Sequence, residues 1–160
     1  MTDKEKFLKR AAELALQSGC IRGKRGAVIV KDGQIVSEAF NMVYPTNDFC
    51  QKNGCLRDKL KLGLGQNAEI CRSIHAEIHA ITIAAKEGKS VAGAIAFITC
   101  MPCMNCAKFV FASGIKEVYF LDNHADLTGM KFLHNMGVKC ERVELKGDKP
   151  EERLRDTTGQ

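Results

Sequence analysis

The chain has 160 residues, 45% of them hydrophobic, with 24 basic and 19 acidic side chains and a formal charge of +5. That length suits one domain and the apolar fraction is enough for a core. The mild, scattered positive charge suits an anionic small molecule and falls short of the clustered basic stripe of a nucleic-acid binder.

Thr2-Asp3-Lys4-Glu5 reads as a capping box with Thr2 as N-cap. Phe7, Leu8, Ala11, Ala12, Leu14 and Ala15 follow at helical spacing, up to a stop at Gly19. Ala27–Val30 and Ile35–Phe40 are short apolar runs joined by Lys31-Asp32-Gly33-Gln34, a strong hairpin signal. Residues 41–72 show no sustained periodicity, apart from a short helix expected over Leu56–Leu62, and hold three cysteines. So long an irregular excursion asks for a special reason, and a bound metal is the natural one.

Ser73 is placed to cap a helix over Ile74–Lys86, with Ile74, Ile78, Ile81 and Ala85 as its core face and a stop at Gly88. Ala94–Thr99 reads as a buried strand. Pro102 then stands at the first position of a helix running to Ser113 and Gly114. A strand over Lys116–Leu121, a helix over Asp126–Met136 and a strand over Val138–Leu145 complete the series. A hairpin followed by strands alternating with helices predicts a three-layer α-β-α domain on a mixed five-stranded sheet. Residues 146–160 read as a polar tail or a short terminal helix.

Neither end carries an h-region or a transmembrane run, which places the protein in the cytoplasm, away from membranes. Eight cysteines in a reducing compartment point to metal ligation rather than a disulfide framework.

The chemistry lies in two stretches, His75-Ala76-Glu77 and Pro102-Cys103-x-x-Cys106. Together they spell H-x-E … P-C-x-x-C, the signature of a zinc deaminase acting on nucleobases. A catalytic zinc takes three protein ligands and keeps one position for water, and His75, Cys103 and Cys106 supply that count. Cys103 and Cys106 are three residues apart, so they share one helix face. His75 opens another helix, and helix N-termini favour thiolate over thiol. The metal would lower the pKa of its water from about 16 toward roughly 7, giving a zinc-bound hydroxide as nucleophile. Glu77 is expected to take that proton and hand it first to the ring nitrogen and then to the leaving ammonia. Alone, a C-x-x-C could be a redox pair or a structural knuckle; the joint pattern, with an apolar strand between its halves, favours the deaminase.

At these residues the chain resembles the cytidine and deoxycytidylate deaminase superfamily. Gly26-Ala-Val-Ile-Val-Lys-Asp-Gly, Asn41 and Cys55-x-Arg … Cys71-Arg-x-x-His75-Ala-Glu are similar to its dCMP deaminase branch, over about residues 5 to 145. The resemblance implies one deaminase-type domain over 1–145 and hydrolysis of a small nucleotide, dCMP, to dUMP for dTMP synthesis. It also implies that Asn41 contacts the nucleoside and that backbone around Ala76 meets the pyrimidine edge. A homo-oligomer, dimer or hexamer, is implied as well. Arg22, Lys24 and Arg25 are candidates for the phosphate on charge and position alone.

Cys50, Cys55 and Cys71 share the 41–72 excursion and Cys20 precedes the first strand. Four thiolates would make a closed structural zinc site, and members of the branch carry a second zinc from equivalent regions. His79 rivals Cys20 as the fourth ligand; Cys100 and Cys140 read as core thiols. The sequence departs from the branch twice. His79 stands where it usually has Asn, and Ala39–Thr46 lacks the glycines tied to control by dCTP and dTTP. Rival readings are a deaminase of another cytosine compound, a tRNA-editing adenosine deaminase, and an inactive zinc-stabilised binding module; the intact Glu77 speaks against the last.

Overall fold

A computed structural model describes residues 2–63, 66–124 and 126–147. Helix α1 (Asp3–Ala15) starts as its capping box dictates, with Thr2 Oγ1 accepting the Glu5 N–H at 3.3 Å and the Glu5 carboxylate accepting the Thr2 N–H at 2.7 Å. Its stripe of Phe7, Leu8, Ala11 and Leu14 packs on Val28 and Val30 of β1 (Gly26–Lys31) and Phe97 of β5 (Ile95–Cys100). A Cβ at position 26 would lie 1.9 Å from the Ala11 carbonyl oxygen, so the helix crosses the sheet this closely only over a glycine.

Strands β1 and β2 (Gln34–Phe40) form the expected hairpin, with Lys31 opposite Gln34. Asp32 (φ 51°) and Gly33 (φ 77°) both take the left-handed conformation that a two-residue turn of this twist demands. With β6 (Glu117–Asp122) and β7 (Lys139–Arg142), the sheet order is β2-β1-β5-β6-β7. β1 runs antiparallel to both its neighbours, while β5, β6 and β7 are parallel. Parallel neighbours need crossovers, supplied by α5 (Met104–Ala112) and α6 (Thr128–Asn135).

Alternation along the strands divides the core. Val28, Val30, Phe97, Tyr119 and Leu121 face α1, whereas Ile29, Ile98 and Phe120 join the cluster beneath α4 (Ala76–Lys86), α5 and α6. The result is the expected three-layer α-β-α arrangement. The buried face of α4 differs from expectation: it is Ala76, Ala80 and Ala84, while Ile74 lies outside the helix and is 39% exposed. Small side chains let this helix approach the sheet closely, and the isoleucines flank the contact.

The 41–72 excursion is more structured than its lack of periodicity suggests. β3 (Met42–Val43) pairs antiparallel with β4 (Ser73–Ile74), closing the excursion into a loop. Inside it lie α2 (Phe49–Asn53) and α3 (Leu56–Lys59), the latter shorter than expected. Among the described residues no helix is long and apolar enough to cross a membrane. Residues 148–160, most of the polar tail, lie outside the described residues.

Candidate metal centre

The parallel strands set where the site lies. Ligands of open α/β sheets bind in the crevice beyond the carboxyl ends of the strands. Here β5 ends at Cys100 and β6 at Asp122, and the loop after each, together with the start of α4, lines one cavity of about 260 Å3. The Met101 N–H donates to the Asp122 carbonyl at 2.8 Å, tying the β5–α5 loop to the end of β6. Gly129, in the first turn of α6, abuts the same loop, where a Cβ would lie 2.2 Å from the Pro102 carbonyl oxygen and 2.9 Å from that of Cys103.

His75 and Cys103 are each the N-cap of their helix, in extended conformation, rather than members of a first turn. Pro102 accordingly stands one residue before the cap, not at the first helical position. Ser73 does not cap α4, because it is drawn into the pairing with Met42–Val43. Two helix N-termini thus converge. His75 Nδ1 lies 3.3 Å from Cys106 Sγ and 3.6 Å from Cys103 Sγ. Zinc bonds of about 2.3 Å to sulfur and 2.0 Å to nitrogen in a tetrahedron put N and S about 3.5 Å apart, so these residues fit the ion as they stand. Among the described residues, this is the one group of three or more candidate ligands whose atoms all lie within 4.8 Å of one another.

The groups of the site perturb one another strongly. The Cys106 thiol and the His75 ring hold the Cys103 thiol far below its ordinary value, at about 3. Cys106, buried beside that thiolate, is pushed the other way. Hydrogen bonding to Cys103 raises the His75 imidazole. Burial pushes the Glu77 carboxyl above the ordinary carboxylate range. Glu77 is the second residue of α4 and lines the cavity, and no other carboxylate does so among the described residues.

The remaining expected site residues divide. Arg22, Arg25 and Asn41 line the cavity. Lys24 does not, since its ammonium donates to the Leu16 carbonyl at 3.2 Å, beside a separate surface hollow. Ala76, the first residue of α4, is buried. Cys20, Cys50, Cys55 and Cys71 all line the cavity, but no three of them bring their sulfurs within 4.8 Å of one another. Burial raises the Cys50 and Cys71 thiols, and neighbouring cysteines of the set raise them further. His79 is not among them; its Nδ1–H donates to the Phe40 carbonyl at 2.9 Å.

Two arginines, read in the sequence only as part of the family motif, prove to belong to the site. Arg57 donates through Nη2 to the Gly63 and Gln66 carbonyls, at 2.6 and 3.2 Å, and Arg72 sits 4.7 Å from the centre of the Phe49 ring. Both line the cavity. The signal lay in their spacing, since one is two residues after Cys55 and the other directly follows Cys71.

A model of the cytidine and deoxycytidylate deaminase zinc-binding region matches residues 1–122. The chain belongs to that family. It is a zinc-dependent hydrolase of the deaminase type, with its catalytic zinc site at His75, Cys103 and Cys106. The chain is similar to the deoxycytidylate deaminase of enterobacteria phage T4, at 31% identity over 147 residues, covering 73% of this chain and 76% of that one. Similarity to a guanine deaminase of Bacillus subtilis is 33% over 130 residues, 76% and 66% of the two chains. Among solved structures, dCMP deaminase from the cyanophage S-TIM5 in complex with dCMP and dUMP superposes with a TM-score of 0.70 at 28% identity, over 88% of this chain and 96% of that one.

Proposed function

We propose that the chain hydrolyses dCMP to dUMP and ammonia, in the cytoplasmic supply of thymidine nucleotides. The observation that carries this reading is the cavity's charge, in which Arg22, Arg25, Arg57 and Arg72 line the same space as the metal ligands and Glu77 is the one carboxylate among the described residues that lines it. A free base brings no anion to such a wall; a nucleotide brings a phosphate dianion. The phage relatives named for dCMP support the same assignment.

In the proposed reaction the C4–N bond breaks and a C4–O bond forms. Zinc, when held by His75, Cys103 and Cys106, supplies acidified water and positive charge beside C4. Glu77 accepts the proton that the water loses and delivers it to N3, and a second transfer through the same carboxylate accompanies ammonia as it leaves. Burial raises the Glu77 carboxyl above the ordinary carboxylate range, which favours its taking up the proton the water loses. The first backbone N–H groups of α4 carry no side-chain cap, which leaves the amides around Ala76 to meet the pyrimidine's carbonyl oxygen. Asn41 lies on the wall where the nucleoside would pass.

A second, structural zinc is the proposed role of Cys20, Cys50, Cys55 and Cys71, within a metal-bearing insertion at 41–72 of a domain spanning 1–145. The thiols share one cavity wall, and binding would draw their sulfurs together. Arg57 Nε is buried without a hydrogen-bond partner among the described residues, the kind of donor a nearby thiolate satisfies. Metal analysis of the purified chain should give two zinc ions; one would remove the second site. Self-association into a dimer or hexamer is proposed from exposed Phe109 and Phe111 on α5, 46% and 43% accessible, and light scattering would read it directly.

The substrate assignment is tested by ammonia release from dCMP, CMP, deoxycytidine, cytosine, guanine and adenosine. The guanine deaminase relative makes guanine the rival to beat. dCMP should turn over with the highest kcat/KM; preference for guanine, or inertness toward every cytosine compound, overturns the proposal.

A further inference from the structure

Asn41 is a buried polar residue, 5% exposed, at the end of β2 where the chain enters the excursion. Every backbone and side-chain polar group it has is engaged with one segment of chain. Its Oδ1 accepts the Arg25 N–H at 2.7 Å, and its Nδ2 donates to the Gly23 carbonyl at 2.9 Å. Its own N–H donates to the Arg25 carbonyl at 3.0 Å, and its carbonyl accepts the Ser18 hydroxyl at 2.7 Å. Four bonds thus fasten residues 18–25 to the end of β2. The next residue is fixed as well, since the Gly26 N–H donates to the buried Thr99 hydroxyl at 3.1 Å.

That segment carries Arg22 and Arg25 to the cavity. Arg22 is braced at its far end by Asp58 at 2.9 Å and by the Leu62 carbonyl at 3.2 Å. The backbone between the two arginines has no strand partner of its own, because β1 begins only at Gly26. Asn41 takes the place of that partner. A carboxamide suits the task, since it accepts from one residue and donates to another two positions away.

We infer that Asn41 is a positioning residue, whose carboxamide clamps Gly23 and Arg25 and so holds the guanidiniums of Arg22 and Arg25 where a substrate phosphate arrives. Selectivity for a nucleotide over a nucleoside then runs through this clamp. The inference rests on the proposed nucleotide substrate and adds a positioning role to the nucleoside contact of Asn41. The two roles differ in what their loss does. A lost sugar contact weakens dCMP and deoxycytidine equally. A lost clamp further weakens the ligand that carries a phosphate, because it misplaces the groups that meet the anion.

The test uses the full, zinc-loaded chain and Asn41→Ala. KM for dCMP should rise at least tenfold, and competitive inhibition by inorganic phosphate should weaken by a similar factor. kcat/KM for deoxycytidine should fall at least tenfold less than kcat/KM for dCMP. Equal losses for dCMP and deoxycytidine, or no loss for either, overturn the inference. Hydrogen exchange at the Arg25 amide gives a second readout that needs no substrate. Its protection should fall in Asn41→Ala and persist in Asn41→Asp, which keeps the acceptor for that N–H and loses only the donor to Gly23. Unchanged exchange in Asn41→Ala refutes the clamp. Should wild type fail to turn over dCMP while exchange behaves as expected, the substrate reading fails and the clamp stands.

Discussion

Gly129→Ala probes how the helices brace the metal loop. The residue is buried in the first turn of α6, so alanine suits its backbone and only space is at issue. The new Cβ would lie 2.2 Å from the Pro102 carbonyl oxygen, 2.8 Å from the Cys103 carbonyl carbon and 2.9 Å from the Cys103 carbonyl oxygen. All three are backbone atoms and cannot rotate away. Restoring ordinary contact requires α6 and the Pro102–Cys103 loop to separate by roughly 1 Å, and overpacking of this kind costs about 1–3 kcal/mol. For a chain of this size each kcal/mol is worth about 2–4 °C, so Tm should fall by about 2–12 °C. The same displacement carries Cys103 away from His75 and Cys106. A misplacement of about 1 Å can cost on the order of 100-fold in rate, and zinc content should fall with it. Calorimetry, metal analysis and steady-state ammonia release on one preparation read all three quantities. Wild-type Tm, zinc content and turnover together would refute the view that α6 braces this loop.

Two further outcomes follow from packing and charge. Phe97 is 3% exposed and lies between Phe7 and Tyr119, with ring centroids 5.2 and 5.6 Å away, so Phe97→Ala should cost about 3–5 kcal/mol in urea unfolding. A loss below about 1 kcal/mol would mean that α1 does not seal this face. The Arg10 guanidinium holds the Glu38 carboxyl below its usual range, but the pair is partly exposed, so Glu38→Gln should cost about 1 kcal/mol or less at neutral pH. A depressed carboxyl contributes above its unfolded pKa and loses the contribution as pH falls through its folded one. The difference between wild type and Glu38→Gln should therefore close on acidification; a gap that widens in acid contradicts the pairing.

What the sequence shows of this molecule follows the range of the interactions involved. The capping box at Thr2 and Glu5 and the Asp32-Gly33 turn are local, and both form as read. The joint pattern at His75, Cys103 and Cys106 was legible because each half sits at a helix start and strand β5 spaces them. Ser73 was misread because its partner is non-local: thirty residues away, Val43 draws it into a strand that no local periodicity reveals. The buried face of α4 was misread because the helix is apolar nearly all round, and packing, not pattern, selects the alanines. Lys24 and Arg25 are adjacent in sequence, yet one reaches back to Leu16 and the other lines the cavity. The Arg25 backbone is held by Asn41, a contact formed across the fold. Arg57 and Arg72 were legible as part of a motif, but their place in the cavity depends on how the excursion folds.

The central claim is that one buried carboxylate moves the protons of a hydrolytic deamination whose substrate is dCMP. Ammonia and dUMP released from dCMP should be measured for wild type and Glu77→Gln at matched zinc content. Wild type should release the two products in equal amounts, and the variant should retain its zinc while losing about 100-fold or more in kcat. Undiminished turnover in the variant, or no ammonia from wild type, would contradict the account.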